Sequence, residues 1–162
     1  MVFDIVHLTK KYQAFQREML YQAVYVPEGA DPPDKSILTD PSVAIYIQNW
    51  GKDGDTGFIA VDQQTRCKLG AAWFRLFSEQ NKGYGFINKE TPELVLAVLP
   101  ECRGRGIGTL LLKRLLQAAE SAYNAISLSV SAENPAKRLY ERFGFHMIDK
   151  TDDSLTMLKG FG

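Results

Sequence analysis

Arg103-x-x-Gly106-x-Gly108 is the run whose residue types and spacing point most directly to chemistry. It lies within Pro100-Glu101-Cys102-Arg103-Gly104-Arg105-Gly106-Ile107-Gly108-Thr109, between a short apolar run at 94–98 and a long leucine-rich segment. The pattern predicts strand, glycine loop and helix. Pro100 cannot donate to a sheet ladder and helps to end the strand. Gly104, Gly106 and Gly108 leave the loop backbone free of Cβ atoms and able to take positive φ. The N–H groups of such a loop can turn inward and join the unpaired donors and positive dipole end of the following helix. With Arg103 and Arg105 adding formal charge, the sum is an anion site suited to phosphate. Two common phosphate loops are excluded by spacing. In a dinucleotide fingerprint the third glycine would stand where Thr109 is, one residue later than Gly108, and the Gly-Lys-Ser/Thr of a P-loop is absent.

The frame that must hold this loop is legible in the rest of the chain. With 162 residues, 45% of them hydrophobic and 11% aromatic, the expectation is one globular domain, residues 1–162, with enough chain to bury a core without metal or disulfide. No apolar run reaches the roughly 20 residues that span a bilayer, and residues 1–4 show no secretory pattern. Nineteen basic and nineteen acidic residues give a net charge of zero, which argues against a nucleic-acid footprint. Cys67 and Cys102 read as free thiols, favouring a reducing cytoplasm, with no metal site expected.

Strand patterns are expected at 2–7, 57–61, 67–77, 84–88, 94–98, 125–130, 145–149 and 154–159. Tyr12, Phe15, Met19 and Ala23 mark one helix face, and Ile107, Leu110, Leu111, Leu115 and Ala118 another. Asp40 and Pro41 open a further helix running to about Trp50, and Asn134-Pro135 opens a short one that Gly144 ends. Residues 27–41 are too proline-rich for a regular element. The segment at 94–98 returns to 125–130 through a helix, which makes that pair parallel and the crossover right-handed. The expected fold is therefore α/β, a mixed, mostly antiparallel twisted sheet of about seven strands with one parallel pair and helices on both faces.

Leu96-Ala97-Val98-x-Pro100 followed by Arg103-x-x-Gly106-x-Gly108 resembles the signature loop of the GNAT superfamily of N-acetyltransferases. The run Asn134 to Phe145, with Leu139, Tyr140 and Gly144, resembles a second segment of the same family. The resemblance covers nearly the whole chain and implies that the parallel strands splay. Acetyl-CoA would lie in the gap, its pyrophosphate on Arg103, Gly104, Arg105, Gly106, Ile107, Gly108 and Thr109. Its pantetheine arm would bond the backbone of Leu96, Ala97 and Val98, with an N–H near Val98 as oxyanion donor. Asn134 caps its helix and, by resemblance, also bonds that arm.

Tyr140 can be a core residue with Leu139 and Phe143. The family uses a tyrosine here as general acid for the departing thiolate, and an unperturbed phenol is protonated at neutral pH. Glu93 is either a solvated strand-end glutamate or, as in comparable enzymes, the base that deprotonates the acceptor ammonium, directly or through water. His7 and His146 read as structural or surface residues, Lys113 and Arg114 as a solvated helix face, and Cys102 as a packing substitution. The implied activity is acetyl transfer from acetyl-CoA to a primary amine, with a catalytically inactive CoA-binding regulatory module as the alternative. The acceptor-choosing walls would come from residues 27–41, the strand around Trp73 and Phe74, and residues 84–86. No membrane partner is implied, and homodimer formation stays open.

Overall fold

The computed structural model describes residues 2–162. Seven strands form one sheet: β1 (Phe3–His7), β2 (Thr56–Asp62), β3 (Lys68–Arg75), β4 (Glu93–Val98), β5 (Ala125–Ser131), β6 (His146–Thr151) and β7 (Ser154–Gly160). Their spatial order is β1-β2-β3-β4-β5-β7-β6, antiparallel throughout except for β4 beside β5. This is the mixed sheet with one parallel pair that the sequence implies.

Helices cover both faces. Helices α1 (Gln13–Ala23) and α2 (Pro41–Ala44) lie on one side, where Met19, Leu20, Val43 and Tyr46 pack with Ile59, Ala71, Trp73 and Ala97. On the other side α3 (Ile107–Glu120) and α4 (Ala136–Arg142) pack Leu111, Leu112, Leu115 and Tyr140 against Phe58, Ala72, Phe74, Leu94, Leu128 and Met157. The period-2 alternation of β4 divides it between the two: Leu94 belongs to the α3 side and Ala97 to the α1 side.

Three expectations are corrected. Residues 84–88 form a turn and irregular chain instead of a strand, because β3 pairs directly with β4 over Gly70–Val98 to Arg75–Glu93 and leaves no ladder for an inserted strand. Helix α2 stops at Ala44, well before Trp50. The carbonyls that would continue it are taken by buried side chains of β3. Trp73 Nε1 donates to the Tyr46 carbonyl at 3.0 Å, and Arg75 Nη1 donates to those of Ile45 and Gln48 at 2.9 and 2.8 Å. The buried stripe of α3 is broader than expected and shifted, since Leu112, Leu116 and Ala119 are buried while Leu110 stays 47% exposed.

Arg75 is a keystone of the α2 side. Its guanidinium grips Asp55 with two hydrogen bonds, 3.0 and 2.6 Å, and both side chains are almost wholly buried. Asp55 also accepts the Gly51 and Lys52 N–H groups at 2.9 Å each, so one pair ties α2, the turn before β2 and the end of β3. Removing one partner of a buried ion pair leaves an uncompensated charge. Asp55→Ala is expected to cost about 3–5 kcal/mol of unfolding free energy, read from urea denaturation. A loss below about 1 kcal/mol, the scale of an exposed pair, would contradict this account.

Candidate active site

The parallel pair is joined at one register position only, Glu93 opposite Ser127, where the Ser127 N–H donates to the Pro92 carbonyl at 2.9 Å. Beyond that point the ladder ends and a gap opens toward the carboxyl ends of β4 and β5. Backbone direction alternates along β4. The Leu99 N–H donates to Leu69 on the β3 side, whereas the Pro92 carbonyl points to β5. By this alternation the backbone groups of Leu96 and Val98 open into the gap and those of Ala97 serve the β3 ladder. Leu96 thus presents free backbone there and Val98 its N–H, the Val98 carbonyl being taken by the Arg103 side chain.

At the open end, Gly104 and Gly106 hold φ of +80° and +81°, a region closed to most side chains, while Gly108 is an ordinary residue of α3. Among the described residues, the N–H groups of 104–109 have no partner. They and the start of α3 form a cluster of unpaired donors at the mouth of the gap. Arg103 and Arg105 are exposed, and Arg103 Nε donates to the Val98 carbonyl at 3.2 Å, linking loop and strand end. Thr109 is exposed and Ile107 is buried as the loop's apolar anchor. Cys102 is buried in the same core, consistent with packing.

Helix α4 stands beside this end. A Cβ placed on Gly108 would touch Val98 at 3.7 Å and Leu139 at 3.9 Å, so β4, α3 and α4 converge there. Asn134 Oδ1 accepts the Ala136 N–H at 2.9 Å, the expected capping bond, and the side chain edges a cavity of about 450 Å³. Tyr140 is 6% exposed, its ring edge-on to Phe145 at 5.8 Å. Burial pushes its phenol pKa well above the ordinary 10, which keeps the hydroxyl protonated.

Glu93 is no solvated strand end. It is 2% exposed on the α2 side, and its Oε2 accepts the Tyr46 hydroxyl at 2.5 Å while Oε1 has no partner. Desolvation pushes its pKa up to about 7, against the opposing pull of the Tyr46 hydroxyl. Tyr46 in turn accepts the Tyr84 N–H at 2.7 Å. The chain reaches this carboxylate so closely because residues 83 and 85 are glycine. A Cβ on Gly83 would stand 2.2 Å from Glu93 Oε1, and one on Gly85 2.7 Å from the Leu128 backbone. Sequence reasoning missed Tyr46, Gly83 and Gly85. The Gly83-Tyr84-Gly85 run was the available signal, but nothing in its spacing linked it to residue 46 or 93.

His7 and His146 are exposed and lie outside this arrangement. No group of side chains among the described residues could hold a metal ion. No helix is long and apolar enough to cross a membrane.

The sheet is thus opened at one parallel pair, with a donor-rich glycine loop at its mouth and a carboxylate and a phenol on its two faces. The Acetyltransferase (GNAT) domain family matches residues 52–147. The chain belongs to this family of acyl-CoA-dependent acetyltransferases. Over 55 residues it is 40% identical to [ribosomal protein bS18]-alanine N-acetyltransferase of Haemophilus influenzae, a match spanning 33% of this chain and 38% of that relative. Among solved structures it is similar to a GCN5-related N-acetyltransferase from Kribbella flavida, with TM-score 0.68, 18% identity and 98% of each chain covered. It is also similar to spermidine/spermine N-acetyltransferase from Vibrio cholerae, with TM-score 0.59, 18% identity, and 96% of this chain and 91% of that one covered. At these identities the structural likeness speaks for the fold alone.

Proposed function

We propose that the protein transfers an acetyl group from acetyl-CoA to a primary amine, of a small molecule or a protein, by direct attack in a ternary complex. The observation that carries this reading is the placement of Glu93 and Tyr140 on opposite faces of the sheet, one on each side of the β4–β5 gap. The amine would approach from the α2 face, where a cavity of about 470 Å³ lies between Gln48, Phe77, Ser78 and Asn81.

Glu93 would take one proton from the ammonium, directly or through water. The nitrogen then attacks the thioester carbon while donors on the Val98 side of the gap polarise the carbonyl oxygen. As the C–S bond breaks, the sulfur leaves with its electron pair and takes a proton from Tyr140, and the second nitrogen proton, passed through water, restores the phenol. Overall one proton goes to solvent. The free donors of 104–109, with Asn134 and the backbone of Leu96 and Val98, would hold the co-substrate. A cytoplasmic setting, where acetyl-CoA is made available, suits this role.

The test is thiol release from acetyl-CoA with a panel of amines that includes spermidine, free amino acids and a peptide beginning with alanine. Transfer to at least one is the expected result. Tight acetyl-CoA binding with transfer to none would replace this reading by a CoA-binding regulatory module.

The loop assignment has its own check. Gly106→Val forces a β-branched residue into the left-handed region, and Gly108→Val fills the contact point of β4, α3 and α4 without meeting a tight neighbour. Each is expected to weaken acetyl-CoA binding about tenfold or more, the scale of one lost hydrogen bond to a charged group, while the protein stays folded. Unchanged calorimetric affinity in a folded variant would move the pyrophosphate elsewhere.

A further inference from the structure

Tyr46 lies 47 positions before Glu93 in the chain, yet its phenol is the sole hydrogen-bond donor found on that carboxylate's Oε2 among the described residues. The direction of this bond is fixed by its surroundings. The Tyr84 N–H points at the Tyr46 oxygen from 2.7 Å, and an N–H can only donate, so the phenol must spend its own proton on the remaining neighbour, Glu93. The Tyr84 N–H is held in place in turn. Ser127 Oγ donates to the Gly85 carbonyl at 2.8 Å, and the Tyr84 hydroxyl meets Ser42 Oγ at 2.9 Å. Trp73 Nε1, bonded to the Tyr46 carbonyl, fixes the backbone from which the ring projects.

We propose that Tyr46 is a positioning residue for acetyl transfer: its hydroxyl, locked as a donor by the Tyr84 N–H, holds Glu93 Oε2 so that Oε1, buried against Gly83 without a hydrogen-bond partner, is the oxygen left to take up a proton. The proposal rests on the reading of Glu93 as the base. It accounts for the one unpartnered oxygen on a buried carboxylate, and for two glycines in a turn where neither has positive φ, so that close approach alone requires them.

Other charges near Glu93 are committed elsewhere. Arg75, opposite it in the β3 ladder, is bound to Asp55. On α1, which packs over β4, Arg17 is exposed and Glu18 pairs with Lys35. Ser127 of β5 and the backbone of the 83–86 turn are neutral. A hydrogen bond to the charged form lowers a carboxyl pKa, so deleting the Tyr46 hydroxyl must raise that of Glu93.

The experiment titrates the Glu93 carboxyl by carbon NMR, its signal identified by its loss in Glu93→Gln, in the parent and in Tyr46→Phe. In parallel, the pH dependence of kcat/KM is measured with acetyl-CoA and the faster of spermidine and the alanine-initiated peptide. In Tyr46→Phe the midpoint and the acidic limb should both move up by about one to two pH units, the worth of a hydrogen bond to a charged group, with turnover above the new midpoint staying below the parent's because the carboxylate is no longer held. A purely structural tyrosine would lower rate or stability at every pH without moving the midpoint. Should Tyr46→Phe not fold, 3-fluorotyrosine at position 46 keeps the ring and the hydroxyl, and its more acidic phenol, a stronger donor to the carboxylate, should move midpoint and limb down instead, an unmoved midpoint counting against the proposal. If Glu93→Gln loses the limb while Tyr46→Phe leaves midpoint and limb unmoved, the positioning role is wrong and the base survives. If Glu93→Gln keeps the limb, the base reading falls and this proposal falls with it.

Discussion

Glu93→Gln is expected to lower turnover by about 10²–10⁴-fold, the usual worth of general-base assistance, and to remove the acidic limb of the pH–rate profile while acetyl-CoA affinity is kept. The sign follows from burial. Glu93 acts only as the carboxylate, and desolvation lifts its pKa from 4.5 to about 7, so in the parent enzyme the rate falls as pH drops through neutrality. The same lift has a consequence for stability, because a carboxyl whose folded pKa is raised favours folding while protonated and opposes it once ionised. Below about pH 4.5 the group is neutral in both states and costs nothing. Above pH 7 it is ionised in both, and at 1.36 kcal/mol per pKa unit the folded state is penalised by roughly 3 kcal/mol. The glutamine variant should therefore be the slower enzyme and, at pH 8, the more stable protein, with that gain vanishing in urea titrations near pH 4. An unaltered pH profile would assign the proton transfer to another group or to water. A stability gain that did not fade with acid would show that the benefit comes from packing instead of from the charge.

Features with local sequence causes were legible in advance, and features with distant causes were not. Arg103-x-x-Gly106-x-Gly108 predicted strand, loop and helix because its glycines, its proline and its arginine all act within a few residues, and the structure keeps that order. The β4–β5 crossover followed from a helix too long to be a hairpin, and the left-handed cap at Gly144 followed from one residue type. In contrast, α2 is cut short by carbonyls given to Arg75 and Trp73, about 30 residues away, which no local propensity registers. Residues 84–88 carry strand-like alternation but are held as a turn by Tyr46 and Ser127. Glu93 illustrates both sides. Its place at the start of the strand could be read, whereas its burial and its partner depend on a tyrosine and two glycines brought together only by the sheet.

Tyr140→Phe isolates one oxygen on the other face of the gap. The ring contributes to the core with Leu111, Val130 and Phe145 and stacks edge-on against Phe145, and phenylalanine keeps all of that. What is removed is the hydroxyl, which burial keeps protonated far above neutral pH. A phenol so placed is a poor base and a permanent proton carrier, suited to meet a thiolate at the moment the C–S bond breaks and the sulfur becomes basic. The expected result is a fall of about 10²–10⁴-fold in single-turnover transfer, with acetyl-CoA affinity and the urea midpoint little changed. Single turnover is the necessary measurement, because slow product release would hide a loss in the chemical step. Leaving-group chemistry supplies a second signature. If Tyr140 gives its proton to the sulfur, an oxygen-ester analogue of acetyl-CoA, whose alkoxide needs that proton more, should be hurt by Tyr140→Phe more than the thioester is. Equal single-turnover rates in a folded Tyr140→Phe protein would return Tyr140 to the core and leave thiolate departure to solvent.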